Sequence, residues 1–108
     1  MSDPRRFEVF LVNLDPTLGG EIGKTRPAAV VSPDDANRHL RTVLVAPMTT
    51  VRRPWPTRVP VDFAGKQGDV ALDQLRVADK ARLRRRLGRL ADEEGDRVLD
   101  VLRRMFAP

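Results

Sequence analysis

Five or six short apolar runs ahead of residue 80, the prolines and glycines that punctuate them, and one amphipathic stripe after Asp92 predict a mainly β chain. The simplest architecture is a small β-barrel or twisted sheet with one packed C-terminal helix. At 108 residues the chain is about one domain long, so residues 1–108 are read as a single unit on which any function must sit. A core of this size hides well over half of the unfolded surface and needs no disulfide or metal to fold.

The elements follow in order. Phe7 to Leu14 mixes aromatic and branched residues with partial alternation, a strand that leaves into a loop at Asp15-Pro16-Thr17 and Gly19-Gly20. Pro27 sets the start of Ala28-Ala29-Val30-Val31-Ser32, a second strand that stops at Pro33, with about a dozen loop residues between the two. Asp34 to His39 has room for a single helical turn, and Thr42 to Pro47 is a third strand ended by Met48-Thr49-Thr50. Val51 to Pro56 holds two arginines, two prolines and the only tryptophan, and reads as an exposed loop. In Arg58 to Phe63, Val59, Val61 and Phe63 share one face while Arg58, Pro60 and Asp62 share the other, a half-buried edge strand. Gly65 and Gly68 bracket a turn, and Asp69 to Val77 supplies one or two short strands interrupted near Asp73-Gln74. Residues 82–90 admit helix or strand, since Leu83, Leu87 and Leu90 have helical spacing while Gly88 and the short length suit a strand. From Asp92 a helix is predicted. Asp92, Glu93 and Glu94 favour its start, Arg103 and Arg104 its end, and Val98, Leu102, Met105 and Phe106 form its apolar stripe.

Lysine and arginine number 20 against 15 acidic residues, a formal charge of +5, and most of the cations are arginine. From Arg76 onward there are ten basic and six acidic residues, against ten and nine before it. Arginine's planar fork suits phosphate, so a polyanion is the first partner to test, although net charge also serves solubility. Cysteine is absent, which excludes thiol chemistry and thiolate metal sites and suits a reducing compartment. No stretch approaches the roughly 18 apolar residues that span a bilayer, and the chain reads as cytoplasmic.

With His39 alone, a two-histidine acid–base mechanism and a multi-histidine metal centre are both excluded. Dinucleotide-binding, P-loop, zinc-protease and serine-hydrolase motifs are missing. There remains the segment from Asp15 to Pro27, in which glycines bring Glu21 together with Lys24 and Arg26. One carboxylate and two cations are the parts that phosphodiester cleavage needs: a proton acceptor, and positive charge against a growing phosphorane. The same residues suit a solvated surface turn, and spacing does not choose between the two.

Asn13-Leu14-Asp15-Pro16-Thr17, with Gly19, Glu21 and Lys24-Thr25-Arg26-Pro27-Ala28-Ala29-Val30-Val31-Ser32, resembles the opening signature of MazF/PemK toxins. Val45-Ala46-Pro47-Met48-Thr49, Gly68-Asp69-Val70-Ala71-Leu72-Asp73-Gln74-Leu75-Arg76 and Asp79-Lys80-Ala81-Arg82-Leu83 with Leu87-Gly88-Arg89-Leu90 resemble the family's later blocks, in order. The resemblance implies an SH3-like small β-barrel with a C-terminal α-helix, a homodimer, a MazE-like antitoxin with an acidic disordered tail, and metal-independent cleavage of single-stranded RNA with no cofactor. It implies Arg26 and Thr49 as catalytic residues, to which the reading of the loop adds Glu21 as the physically easier base. Glu21, Lys24, Asp73 and Gln74 match positions that line the RNA groove of the family, and Thr25, Arg76 and Trp55 complete the candidate RNA contacts. Two departures matter. Some members have a histidine where Gly20 stands and an arginine where Ala71 stands, so a mechanism that uses those groups does not transfer. Two rivals remain open: a CcdB-like, non-enzymatic binder of DNA gyrase on the same barrel, and a non-catalytic RNA-binding module.

Overall fold

The computed structural model describes residues 2–108. Its elements are β1 (Glu8–Asn13), β2 (Thr25–Val30), α1 (Asp34–His39), β3 (Thr42–Thr49), β4 (Arg58–Phe63), β5 (Lys66–Ala71), a 3₁₀ turn at Leu72–Gln74, β6 (Arg76–Asp79), a second 3₁₀ turn at Lys80–Arg82, β7 (Leu83–Arg89) and α2 (Asp92–Phe106). The strands lie in the order β4-β5-β3-β2-β1-β7, and every pairing is antiparallel. β3 holds the sheet together. Its first half pairs with β6, its middle with β2 and its last two residues with β5, so the sheet curls around it into a half-barrel.

Side chains alternate across a strand, so β3 feeds two cores. Val43 and Val45 join Val12, Leu14, Ala28, Val30 and Ala78 on one side. Ala46 and Met48 join Val9, Ala29, Val59, Val61, Val70 and Leu72 on the other, where Val98 and Val101 of α2 close the cluster. Fully burying each valine, leucine or methionine among them contributes about 1.5 to 3 kcal/mol. α2 is seated by two specific contacts. The buried Glu94 accepts from Ala91 N at 3.1 Å and from Asp62 N of β4 at 2.9 Å. Gly95 allows the Phe7 ring so close that an added Cβ would lie 2.8 Å from it.

The architecture agrees with the mainly β reading, and several boundaries move. Residues 83–89 form a strand, because β1 offers them a backbone ladder from Glu8 to Val12 that outweighs the helical spacing of the leucines. β2 begins two residues before Pro27, since Asn13 and Val12 pair with Thr25 and Arg26. The turn after β4 is Ala64-Gly65 alone, and Gly68 lies inside β5. Phe106 leaves the apolar stripe of α2 and is 72% exposed, while Val101 takes the buried position. One residue beyond Met105 turns about 100° around the helix axis, which carries Phe106 into solvent.

Candidate active site

The β1–β2 loop is braced from several sides. Leu14 N donates to Lys24 O at 2.9 Å and Lys24 N to Asp15 Oδ1 at 2.8 Å, which ties the two ends of the loop together. Glu21 Oε1 accepts from Leu18 N at 2.6 Å, and Ile22 N donates to Gln74 Oε1 at 3.1 Å. Arg82, entering β7, donates to the carbonyls of Asn13 and Asp15. Lys24 sits at φ +64°, a left-handed conformation that residues with a Cβ rarely hold. Gly23 has no room for a side chain, since a Cβ would meet Thr17 Oγ1 at 2.5 Å and Asp15 Oδ1 at 2.7 Å. Gly23 thus serves close packing at the base of the loop, while nothing lies within 4 Å of a Cβ added at Gly19 or Gly20.

Glu21, Asp73, Gln74 and Arg76 line one groove of about 380 Å³, together with Asn13, Pro16 and Arg82. Arg76 is committed to the chain, donating to Gln74 O, Gln74 Oε1 and, at 3.5 Å, Leu14 O. Lys24 and Thr25 are exposed at the loop's exit, beside the groove and not lining it.

Arg26 belongs to β2 and not to the loop, which corrects its sequence placement. The ladder between β2 and β3 pairs Ala28 with Pro47, Ala29 with Ala46 and Val30 with Val45. Continued by two residues, that register sets Arg26 opposite Thr49, and residues directly opposite in antiparallel strands share a face. Arg26 donates its Nε to Gly23 O at 2.9 Å, leaving the terminal guanidinium nitrogens without partners among the described residues. Thr49 Oγ1 accepts from Val51 N at 3.1 Å, so its hydroxyl hydrogen remains available for an acceptor. Thr49 also lines a second, more apolar cavity of about 350 Å³ with Pro27, Met48, Phe63 and Leu87, and Arg26 lines neither cavity. Thr49 is held in depth by Asp69, its partner in β5, and by Gly68, whose missing side chain lets the Thr49 carbonyl approach.

The loop from Val51 to Thr57 is tied back over β5. Arg52 donates to the carbonyls of Gly68 and Val61 at 3.2 Å each, and Arg53 N donates to the buried Asp69 Oδ2 at 2.8 Å. Trp55 is half exposed and covers the guanidinium of Arg58, whose Nε lies 2.7 Å from Asp73 Oδ1. Thr57 Oγ1 donates to the same oxygen at 3.1 Å. Burial alone would raise the Asp73 pKa, but the Arg58 hydrogen bond, aided by backbone and Thr57 donors, outweighs it and holds the carboxyl below its ordinary value. Asp73 and Trp55, far apart in the chain, are brought to the same arginine. His39 sits exposed on α1, its Nδ1 near Asp35 O, and lines neither cavity. Among the described residues no group of three His, Asp or Glu side chains is placed to hold a metal ion.

Sequence reasoning missed Gly23, Gly68, Asp69, Arg58 and Arg82. Gly68, Asp69 and Arg82 left a trace as members of family-like blocks, and Gly23 as one of the loop glycines. Arg58 is indistinguishable in sequence from the other arginines, and neither the burial of Asp69 nor the loop contacts of Arg82 are visible there.

Fold and site together define a small half-barrel protein with a braced loop and a polar groove. Residues 5–106 match the family model of the PemK-like, MazF-like toxins of type II toxin–antitoxin systems, and the chain belongs to that family. It is 33% identical over 104 residues to the Endoribonuclease MazF of Staphylococcus saprophyticus, a match covering 91% of this chain and 87% of that protein. Its fold is similar to that of MazF from Deinococcus radiodurans, with a TM-score of 0.85, 25% identity and 97% of each chain covered. A mycobacterial endoribonuclease solved with its cognate antitoxin matches with a TM-score of 0.80 and 26% identity, again over 97% of each chain. No helix among the described residues is long and apolar enough to cross a membrane.

Proposed function

We propose that this chain is the toxin of a toxin–antitoxin pair and a metal-independent endoribonuclease that cuts single-stranded RNA at a short sequence. Family membership and the endoribonuclease relatives support the activity, and they do not favour the gyrase-binding alternative. What supports the reading at residue level is the β2–β3 register, which pairs Ala28 with Pro47 and, extended by two residues, brings Arg26 opposite Thr49, each with unspent donors.

In this mechanism the 2′-oxygen of the substrate attacks the adjacent phosphorus and the bond to the 5′-oxygen breaks, giving a 2′,3′-cyclic phosphate and a 5′-hydroxyl. Glu21 takes the proton from the 2′-hydroxyl, and the departing 5′-oxygen takes one from solvent. Arg26 opposes the phosphorane charge with its free nitrogens, and Thr49 donates its hydroxyl to a phosphate oxygen. A guanidinium keeps its charge in a protein, which makes it a stabiliser of charge and a poor proton acceptor. Lys24, Thr25, Gln74 and Arg76 flank the path of the strand. Splayed bases of single-stranded RNA expose the edges that such side chains read.

The partner is an antitoxin, as the family and the antitoxin-bound relative support. The +5 charge favours an acidic segment of it. The protein works as a homodimer in the cytoplasm. Incubating purified protein with single-stranded RNA in EDTA tests the activity: wild type cuts, and Arg26→Ala, correctly folded by circular dichroism, does not. Intact RNA with wild type, or continued cutting by Arg26→Ala, overturns the assignment. Sequencing the 5′ ends of the fragments reads the recognition sequence, and light scattering reads the dimer.

A further inference from the structure

We propose that Arg58 is a positioning residue for RNA recognition, clamping Trp55 and Asp73 into one preformed step on which a single unstacked base lies. The base stacks on the indole, and its amino edge donates to the Asp73 carboxylate. This inference rests on the RNA-cleaving reading and adds to it the means by which one base is chosen.

Arg58 opens β4 on the face that alternation assigns to solvent, yet its side chain is only 8% exposed. Every part of the guanidinium is engaged. Its carbon lies 4.6 Å from the centre of the Trp55 ring, Nε and Nη2 reach the two oxygens of Asp73 at 2.7 and 3.3 Å, and Nη1 lies 3.9 Å from Asp69 Oδ2. Asp69 anchors the arrangement from below. It is 1% exposed, and its Oδ1 has no hydrogen-bond partner. A buried carboxylate in that condition holds a neighbouring cation firmly, because losing the cation would leave the charge uncompensated. Arg58 is therefore pinned by two carboxylates and roofed by an aromatic ring, an arrangement far more ordered than a surface arginine needs.

The two groups it holds are suited to a base. Trp55 remains 48% exposed, and Arg53 is a second, looser cation 5.8 Å from its ring centre. Stacking one base on an aromatic ring is worth about 5- to 150-fold in affinity and tolerates any base. Selection falls to Asp73, which lines the groove shared by Glu21 and Gln74. As a carboxylate it only accepts hydrogen bonds, and Arg58 and Thr57 occupy most but not all of its lone pairs. It favours the exocyclic amino groups of adenine, cytosine or guanine over the carbonyl edge of uracil.

Trp55 is the only tryptophan, so its fluorescence reports the step directly. A pool of single-stranded RNA decamers with 2′-fluoro sugars, which cannot be cut by 2′-hydroxyl attack, quenches it on binding to wild type. Arg58→Met keeps the stem and removes the fork. It weakens pool binding about tenfold, the loss falls on KM and not on kcat, and the 5′-end map of cut cellular RNA relaxes at one position at a fixed offset from the cut. Arg58→Lys recovers part of the affinity and none of the selectivity. Unchanged Trp55 fluorescence at saturating RNA overturns the inference, as does an Arg58→Met protein that loses thermal stability and kcat while its cut-site selectivity stays intact. If Arg58→Met does not fold, the wild-type quench and the selectivity of Trp55→Ala decide the matter. Absence of cutting by wild type would sink the proposed function alone, because the decamer titration needs no cleavage.

Discussion

Replacing Gly68 by alanine tests the claim that β5 positions Thr49 by close backbone approach. The new Cβ would lie 2.2 Å from the Thr49 carbonyl oxygen, 3.1 Å from its carbon and 3.3 Å from Thr50 Cα. A carbon and a carbonyl oxygen come no closer than about 3.3 Å, so the strands must part by roughly 1 Å. No flexible side chain is available to yield, because all three obstructing atoms are backbone. Overpacking of this kind costs about 1 to 3 kcal/mol, and a backbone obstruction belongs at the upper end. About 3 kcal/mol in a chain of this length lowers Tm by roughly 10 to 20 °C. Thr49 moves with its peptide, and if it holds the scissile phosphate as proposed, a displacement of about 1 Å lowers turnover on the order of a hundredfold. Gly20→Ala is the control, since nothing lies within 4 Å of its added Cβ, and its stability should stay within about 0.5 kcal/mol of wild type. Urea unfolding and single-turnover RNA cleavage read both quantities. A Gly68→Ala protein with the wild-type urea midpoint and kcat/KM would refute the reasoning.

Three further outcomes are expected. Glu21→Gln keeps an oxygen to accept from Leu18 N and so preserves the loop, but removes the proton acceptor; cleavage should fall about a hundredfold or more, and a loss under tenfold would leave Glu21 as a loop brace only. Asp73 has a folded-state pKa below its ordinary 3.8, so the stability it contributes is present above that value and is lost as pH falls through the folded pKa. Urea midpoints of wild type and Asp73→Asn should therefore differ at neutral pH and converge in acid, and parallel curves would contradict the assignment. Gly95→Ala gains about 1 kcal/mol of helix propensity yet places a Cβ 2.8 Å from the Phe7 ring, so thermal unfolding should show net destabilisation, and a raised Tm would show that Phe7 yields freely.

The elements that were legible in the sequence are those with local signals. Alternation placed the apolar face of β4, the acid-to-base gradient placed α2, and prolines and glycines placed most loops. What escaped depends on pairing between distant residues. β7 could not be told from a helix because its strand character comes from β1, more than 70 residues away. Arg26 read as a loop residue because Pro27 is a conspicuous boundary, whereas the actual boundary is set by Asn13 accepting Thr25 as its partner. Gly68 read as a turn because the reason for its small size, the Thr49 carbonyl, lies on another strand. The site divides in the same way. The groove residues Glu21, Asp73 and Gln74 stand in recognisable blocks, but the burial of Arg58 and Asp69 follows from a loop folding back over β5, which no periodicity announces.

The pairing of β1 with β7 also bears on the order in which the β1–β2 loop is completed. β1 and β2 can meet as soon as both are made, but the carbonyls of Asn13 and Asp15 wait for Arg82, and the outer edge of β1 waits for residues 83–89. Contacts of such sequence separation form late and slow the search for the native state. During synthesis at about 5 to 20 residues per second, the loop lacks its Gln74 and Arg82 contacts until most of the chain is out. The loop that carries Glu21 is thus completed only when the chain's last strand has docked on its first.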